Sequence, residues 1–244
     1  MISYYEIVSN TSIIFFGTDE FAGIVLRKLK EAGFDIVDRP PADLGVVASY
    51  GKILPKKILE QFPRGVLNIH PSLLPKYRGP SPIKTALANG DTETGVTIIK
   101  LDDQMDHGPV LINAKHQIPS TKMHSELRDE LAKLGAELLI KIIPDYIAGH
   151  IEVEPQCDAD ATYTKFLKRD DGKVDLENDQ PQSIYNKFRA YEGWPGIWFL
   201  HKGKRVIIRN CKIENGKLEI LVLQPEGKKP MSMLAYINGY GNPN

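Results

Sequence analysis

Two polar side chains with catalytic potential, Asn68 and His70, stand two residues apart in an otherwise apolar stretch of the chain. Residues 66–70 are predicted to form a strand, and because side chains alternate along a strand, the amide and the imidazole project from one face. Pro71 cannot donate a hydrogen bond to a neighbouring strand, so the strand is expected to end there. Both groups would then lie at the carboxyl end of a strand, where open α/β sheets place their functional sites.

A carboxylate-rich loop further along the chain supplies further candidate residues. Residues 96–101 and 110–118 are predicted strands, and the loop between them contains three acidic residues, Asp102, Asp103 and Asp106. A fixed amide donor such as Asn68 can stabilise the negative charge that develops on oxygen during acyl transfer. A carboxylate beside His70 would favour the protonated imidazole, which can then donate a proton. Taken singly, His70 could instead be a structural histidine and Asp106 a turn former.

The loop that follows the predicted strand, residues 71–82, is rich in proline and also carries Lys76, Tyr77 and Arg78. The two cations of this loop suit an anionic partner. Ser72 lies in the same loop, but without a G-x-S-x-G turn it is not predicted to be a nucleophile. No metal is predicted, because the available ligands lack the helical spacing of a metal motif; these are His70, Asp106, His107 and His116.

The elements that must position these residues alternate between strands and helices. Residues 12–18 predict a strand that closes on Gly17, and an amphipathic helix follows. Gly17 stands alone, without the full G-x-G-x-x-G, so no dinucleotide site is predicted. Further strands are predicted at 34–37 and 44–49, and helices at 55–62 and 81–89. The pattern predicts an α/β fold with a Rossmann-like, mostly parallel sheet.

A long helix is predicted over residues 121–149. Apolar residues recur along it every three or four positions, which indicates one face against the core; they are Leu127, Leu131, Leu134, Leu138 and Ile142. Pro144 is expected to kink or end the helix, because proline removes a hydrogen bond from a helix interior.

The connection between the predicted strands 34–37 and 44–49 is unusually short. Only six residues, 38–43, separate the two strands. Parallel neighbours need a crossover of about a dozen residues or more. Six extended residues span only about 20 Å, barely enough to run back along a strand.

The last third of the chain changes character. Residues 151–160 are interpreted as a polar linker, and a helix is predicted at 183–191. The β-formers that follow predict a small antiparallel sheet or incomplete barrel, with turns at Lys202-Gly203 and Asn215-Gly216. We therefore predict two domains, residues 1–169 and 170–244.

Composition places the chain among ordinary globular proteins. Its 31 basic and 31 acidic residues cancel, so overall charge does not indicate a nucleic-acid binder, although residues 201–244 carry a net charge of +5. The two cysteines form no C-x-x-C pair, which fits a reducing compartment. Residues 1–6 lack a basic region, and the apolar run 13–16 is too short for a signal or a membrane span. A cytoplasmic protein without a membrane partner is expected.

Two long motifs resemble the signatures of the folate-dependent formyltransferases. The first is Asn-Ile-His-Pro-Ser-Leu-Leu-Pro-Lys-Tyr-Arg-Gly at 68–79, and the second is Gly-Val-Thr-Ile-Ile-Lys-Leu-Asp-Asp-Gln-Met-Asp-His-Gly-Pro-Val-Leu at 95–111. The resemblance implies a catalytic triad of Asn68, His70 and Asp106, and 10-formyltetrahydrofolate as the formyl donor.

Residues 48–55 resemble the loop of this family that meets the pterin ring of folate. Gly51 would permit a close backbone approach, while Tyr50, Ile53 and Leu54 could wall an apolar slot. A plain strand-to-helix turn is the alternative at this position. With the first signature, the resemblance implies that further folate contacts come from Ser72, Leu73, Leu74, Pro75 and Asp102.

Residues 189–196 and 223–231 resemble the C-terminal domain of the methionyl-tRNA branch of the family, whose usual barrel is longer than the OB-like one expected here. This implies that the formyl group goes to the amino group of methionyl-initiator tRNA, for translation initiation. Basic residues would contact the tRNA phosphates; they are Lys76, Arg78, Arg205, Lys228 and Lys229. No obligate protein partner is inferred.

Other substrates stay open at this level. The triad is shared with N-formyltransferases that act on amino-sugar nucleotides, and a degenerate member could bind only folate or RNA. In the family, the interval at 38–43 normally holds further strand and helix units and a basic loop that engages the tRNA. The sequence leaves open whether this unit has been lost by deletion; a true deletion predicts weaker or differently arranged tRNA binding.

Overall fold

The computed structural model describes Val8 and residues 10–243. Residues 1–6, from which the sequence predicts no signal peptide, lie outside the described part. The chain divides into two compact units. The first comprises the described residues up to Pro82 together with Glu93–Ile118 and Glu126–Lys165, and the second comprises Ile83–Thr92, Pro119–Ser125 and the chain from Phe166 onward.

A six-stranded sheet forms the centre of the first unit, in the order β2-β1-β3-β4-β5-β6. Three of its five pairings are parallel (β1–β2, β1–β3 and β3–β4) and two are antiparallel (β4–β5 and β5–β6), which confirms the mostly parallel sheet. The strands are β1 (Ser12–Phe16), β2 (Asp35–Ile36), β3 (Leu44–Ala48), β4 (Val66–His70), β5 (Glu93–Lys100) and β6 (Val110–Gln117).

Helices α1 to α5 of the described residues fall where the sequence predicts them, with shifted ends. Helix α1 begins after Asp19, whose carboxylate accepts a hydrogen bond from the amide of Ala22 at 3.0 Å. Gly90, at φ +74°, follows α3. The helices are α1 (Glu20–Glu31), α2 (Lys56–Leu59), α3 (Pro82–Asn89), α4 (His124–Ala148), α5 (Pro181–Ala190) and α6 (Met233–Tyr240). None of the helices in the described ranges is long and apolar enough to cross a membrane.

The buried face of α4 differs from the predicted one in its middle. Leu134 and Leu138 are only half-buried, whereas Gly135 and Leu139 are buried. The reason is the close approach of α4 to the sheet: a Cβ at Gly135 would lie 2.5 Å from Cγ2 of Ile69 in β4. The helix also continues past Pro144, which is buried within it.

The short connection between β2 and β3 crosses β1 instead of retracing a strand. β2 has only two residues, and Ile36 and Leu44 both align with Ile13, one on each side of β1. The chain therefore has only to pass from one neighbour of β1 to the other, about 10 Å. The sequence-based expectation assumed a longer strand to run back along and so overestimated the distance. Asp43 accepts hydrogen bonds from the Ser12 hydroxyl (2.6 Å) and amide (2.8 Å) at the end of the crossing, and these bonds lower its pKa.

The second unit contains the predicted antiparallel sheet, which is open and has four strands in the order β10-β9-β8-β7. Both residues of the Asn215-Gly216 turn have positive φ, +50° and +75°, as the favoured two-residue hairpin turn requires. Helix α6, which the sequence did not predict, follows the last strand. The strands are β7 (Ile197–His201), β8 (Lys204–Glu214), β9 (Lys217–Pro225) and β10 (Met231–Ser232).

Candidate active site

The three residues predicted to form the catalytic site meet at the carboxyl end of β4. Strand β4 presents Asn68 and His70, and the loop between β5 and β6 presents Asp106. Nδ2 of Asn68 lies 3.3 Å from Oδ1 of Asp106, and Nδ1 of His70 lies 3.5 Å from the same oxygen. Asn68 and His70 are buried, whereas the side chain of Asp106 is 15% exposed. One carboxylate oxygen therefore faces both an amide donor and an imidazole nitrogen.

The hydrogen bonding of His70 distinguishes its two ring nitrogens. Nε2 lies 2.9 Å from the carbonyl oxygen of Tyr77. Because a carbonyl oxygen can only accept, Nε2 must carry a hydrogen. Nδ1, which faces Asp106, is thus the nitrogen that can gain or lose a proton without breaking the contact with Tyr77.

Asp106 is fixed on its other side and has an uncommon backbone. Its Oδ2 accepts a hydrogen bond from the amide of Gly79 at 2.8 Å. Its φ is +50°, a left-handed conformation that aspartate adopts more readily than most residues. Tyr77 (φ +67°) and Ser49 (φ +49°), which lies within the predicted pterin loop, are also left-handed. Strained backbone of this kind gathers at functional sites, because the surrounding structure must hold it in place.

Thr97, in β5, holds the proline-rich loop that follows β4. Its hydroxyl is fully buried, donates to the carbonyl oxygen of Ser72 at 2.7 Å and accepts from the amide of Leu74 at 3.1 Å. The Ser72 hydroxyl in turn donates to the carbonyl oxygen of Lys76 at 2.6 Å. Ser72 and Leu74, both predicted folate contacts, are thus buried within the loop, while Leu73 and Pro75 are half-buried.

Known protein families match this chain in two regions. The formyl transferase family matches residues 25–143, and the formyl transferase C-terminal domain matches residues 167–217. The methionyl-tRNA formyltransferase of Chloroflexus aggregans is 38% identical over 82% of this chain and 73% of its own length. This chain belongs to the methionyl-tRNA formyltransferase family.

Solved structures share the fold. The methionyl-tRNA formyltransferase from Clostridium thermocellum has a TM-score of 0.68 at 19% identity, covering 88% of this chain and 98% of that one. HypX from Aquifex aeolicus in complex with tetrahydrofolic acid has a TM-score of 0.73 at 16% identity, covering 94% of this chain and 47% of that one. The formyl transferase family uses folate, so the side chains of the predicted folate loop are of direct interest in this family member.

Two of the three residues predicted to wall a folate slot have side chains open to a ligand. Ile53 is 67% exposed, and half-buried Tyr50 packs edge-on against Phe16 at 5.6 Å between ring centroids. Gly51 has φ +73° and an open surround, as expected for close approach of a ligand to the backbone. Leu54 is buried in a core cluster with Val47, against which Tyr50 also packs.

Asp102, predicted to contact folate, is engaged by its own loop. Its Oδ2 lies 2.6 Å from Nδ1 of His107, and its Oδ1 accepts from the amide of Gln104 at 2.9 Å. The hydrogen bond with Asp102 raises the pKa of His107. Nε2 of His107 lies 3.5 Å from Oδ2 of Asp158, so the pair extends towards a segment that the sequence did not connect with the site.

Arg78 does not lie at the surface, as a contact with tRNA phosphate requires. It is only 2% exposed, and its guanidinium contacts Gln156, Asp158 and Tyr163. The distance from Nη2 of Arg78 to Oδ1 of Asp158 is 2.8 Å, and this hydrogen bond lowers the pKa of Asp158. Because the guanidinium donors are directed to these three side chains, the tRNA contact predicted for Arg78 is corrected to a structural one.

The segment interpreted as a polar linker is part of the site, and the sequence reasoning missed it. Glu154 pairs with Val110 through two backbone hydrogen bonds of 2.8 Å. Two residues beyond the segment, Thr162 accepts from the amide of Arg78 through its carbonyl oxygen (2.9 Å) and from the amide of Tyr77 through its hydroxyl (2.9 Å). A polar segment without periodicity gives no signal of burial, since a solvated linker has the same pattern.

The remaining basic residues predicted to contact tRNA are accessible in varying degree. Lys76 is exposed, with its ammonium 4.5 Å from the centre of the Tyr77 ring. In the second unit, Lys228 and Lys229 are exposed and Arg205 is half-buried. No group of three or more His, Cys, Asp or Glu within the described ranges is placed to hold a metal ion.

Proposed function

We propose that this chain transfers the formyl group of 10-formyltetrahydrofolate to the amino group of methionyl-initiator tRNA. The observation that carries the proposal is the meeting of Asn68, His70 and Asp106 at the carboxyl end of β4. It occurs in a chain whose relative at 38% identity, over most of both lengths, is a methionyl-tRNA formyltransferase.

The donor supplies an activated formyl group on nitrogen, and attack by an amine places negative charge on the formyl oxygen. Asn68 is the side chain suited to stabilise that charge, because its amide is buried, neutral and held in one orientation by Asp106. Removing one such donor typically lowers turnover by about a hundredfold to a thousandfold.

Asp106 and His70 divide the proton transfers between them. Oδ2 of Asp106 is held by the amide of Gly79, and Oδ1, which faces Asn68 and His70, is the oxygen that accepts the proton of the attacking amine, directly or through water. Nδ1 of His70, 3.5 Å from Oδ1, can take that proton from Asp106 and give it to the departing nitrogen, while Nε2 stays bonded to Tyr77. No covalent enzyme intermediate is required.

The exposed surface around Tyr50, Gly51 and Ile53 fits a flat heterocycle such as the pterin of folate, because it combines an accessible apolar side chain with an open backbone. We propose that these residues hold the donor together with Leu73 and Pro75. Leu54, Ser72, Leu74 and Asp102, also predicted as folate contacts, would act from behind this surface through the loops that they fix.

We further propose that residues 1–169 form the folate-binding catalytic domain and residues 170–244 the tRNA-binding domain. The exposed Lys228 and Lys229, with Arg205 and Lys76, would contact the phosphates of the tRNA. The setting is the cytoplasm, where charged initiator tRNA is found, and both cysteines are free thiols.

The test is a formylation assay with 10-formyltetrahydrofolate and three acceptors: charged initiator tRNA, the same tRNA uncharged, and an amino-sugar nucleotide. We expect transfer to the charged tRNA only. Transfer to the sugar alone would replace the proposed substrate with the alternative one. Folate binding without transfer to either acceptor would indicate a degenerate family member.

Variants of the triad test the roles of its residues. His70→Ala and Asp106→Asn should each lower turnover by about a hundredfold or more, with the circular dichroism spectrum unchanged. The matched controls are His150→Ala and Asp145→Asn, which alter an exposed pair whose side chains are 72% and 68% exposed. Near-normal activity of either triad variant would contradict the proton transfers proposed for His70 and Asp106.

A further inference from the structure

Gln156 is bonded on both sides of its amide. Its Nε2 donates to the carbonyl oxygens of Asp106 and Gly108, each at 2.8 Å. Its Oε1 accepts from Nε (3.1 Å) and Nη2 (2.9 Å) of Arg78. All four bonds require this orientation, because carbonyl oxygens only accept and a guanidinium only donates.

The two sides of this amide bond to two different loops. Asp106 and Gly108 lie in the acidic loop, and Arg78 lies in the loop that follows β4. The next residue after Arg78 is Gly79, whose amide holds Oδ2 of Asp106. Gln156 therefore ties the backbone of Asp106 to the same stretch of chain that holds its side chain.

The backbone conformation of Asp106 needs such a hydrogen bond more than that of most residues. Its left-handed backbone, at φ +50°, persists only where the surroundings hold it. A rotation of that backbone would move the carboxylate away from Asn68, His70 and Gly79 together. The carbonyl oxygen of Asp106 is the atom of this backbone that Gln156 fixes.

We propose that Gln156 is a positioning residue that holds Asp106 in its catalytic orientation. It does not touch the reacting atoms and acts through the Asp106 carbonyl oxygen. The prediction that Gln156 affects turnover rests on the proposed function. The prediction that it affects the orientation of Asp106 does not.

Gln156→Glu is the sharpest test. The new side chain has the same shape and keeps an acceptor for Arg78, but it turns the donor that faces Asp106 and Gly108 into a second acceptor. Gln156→Met, which keeps the length and loses both sides of the amide, is the second variant should Glu impair folding. The matched control is Gln61→Glu, an exposed glutamine before β4, at the opposite end of that strand from His70.

The first readout needs no activity: hydrogen exchange of the Gly79 amide, measured by NMR. If Gln156 orients Asp106, Gly79 loses its acceptor in Gln156→Glu and exchanges at least about fivefold faster, the effect of losing one typical hydrogen bond. Asp106→Ala gives the benchmark for complete loss. Amides of β4 and α4 should exchange at the rate of the unaltered protein. Unchanged exchange at Gly79, or equal acceleration throughout the first unit, would overturn the proposal.

The second readout is the kinetic split. Gln156→Glu should lower kcat by roughly tenfold or more, while KM for the folate donor and for the tRNA stays within about twofold, because misorientation affects the chemical step. Gln61→Glu should change neither constant. Unchanged kcat beside faster Gly79 exchange would also overturn the proposal. If the unaltered protein formylates no tRNA, the proposed function fails, and Gly79 exchange still decides whether Gln156 orients Asp106.

Discussion

Adding one methyl group at Gly23 should stabilise the protein, whereas adding the same group at Gly135 should not. Both glycines lie within helices, Gly23 in α1 and Gly135 in α4. A Cβ at Gly23 would have no described atom within 4 Å. A Cβ at Gly135 would lie 2.5 Å from Cγ2 of Ile69 and 3.1 Å from Cγ1 of Val96, so a buried neighbour would have to move.

The two contributions to the free energy of unfolding can be compared. Replacing glycine by alanine in a helix stabilises a protein by about 1 kcal/mol. Forcing an extra methyl group into a well-packed core costs about 1–3 kcal/mol. Gly23→Ala should therefore stabilise the protein by up to about 1 kcal/mol. Gly135→Ala should be neutral to destabilising by about 2 kcal/mol, so the two variants should differ by about 1–3 kcal/mol.

Activity should separate the two variants further. Ile69 lies between Asn68 and His70 in β4, so moving it displaces the strand that carries both. A misplacement of about 1 Å can lower turnover by about a hundredfold. We expect a clear loss of formylation in Gly135→Ala and none in Gly23→Ala.

The assay is chemical unfolding followed by circular dichroism, with midpoints compared at equal slope, beside formylation rates. The double variant Gly135→Ala/Ile69→Ala should be less destabilised than the sum of its single changes, since the second change removes the crowded atom. A Gly135→Ala protein as stable as Gly23→Ala and fully active would refute the close packing of α4 on β4.

Three further predictions concern other parts of the fold. Burial raises the pKa of Cys211 to about 12, so iodoacetamide at pH 8 should modify exposed Cys157 and spare Cys211 in the folded protein, as read by mass spectrometry. The pKa of Asp43 is lower in the folded protein than in the unfolded chain. Its hydrogen bonds with Ser12 therefore stabilise the fold above the unfolded pKa, and this stabilisation is lost as the pH falls through the folded pKa. The difference in free energy of unfolding between the unaltered protein and Ser12→Ala should therefore be largest at neutral pH. It should become smaller below pH 3.8 when unfolding is measured across an acid titration. Thr97→Val should lower the free energy of unfolding by about 1–3 kcal/mol in denaturant titrations, because it leaves two buried backbone groups of the proline-rich loop unpaired.

The catalytic strand could be predicted because its signals are local. Alternation fixes the common face of Asn68 and His70, and Pro71 fixes the end of β4. The hairpin at Asn215 follows from the two residues of the turn alone. The arrival of Asp106, from a loop 36 residues beyond His70, could be expected only through the likeness of the whole motif to a family.

The buried polar network around Arg78 could not be predicted. An arginine is ordinarily exposed, and its burial here depends on Gln156 and Asp158, about 80 residues later in the chain. Neither partner has a periodic or compositional signal. Helix α6 was missed for another reason: it has eight residues and contains Gly239, although Ser232 before it is a good N-cap and accepts from the amide of Ala235.

The connection between β2 and β3, at one edge of the sheet, should tolerate a change in its length. It spans a fixed gap beside Ile13, near the amino end of β1, whereas the catalytic groups lie at the carboxyl end of β4, a strand that runs in the same direction. Doubling the length of a flexible loop costs only about 0.6 kcal/mol. Exposed residues 39–41 are thus the natural position for inserting a fluorescent reporter or an affinity peptide, with Asp43 and Ser12 keeping the register of the strands that follow.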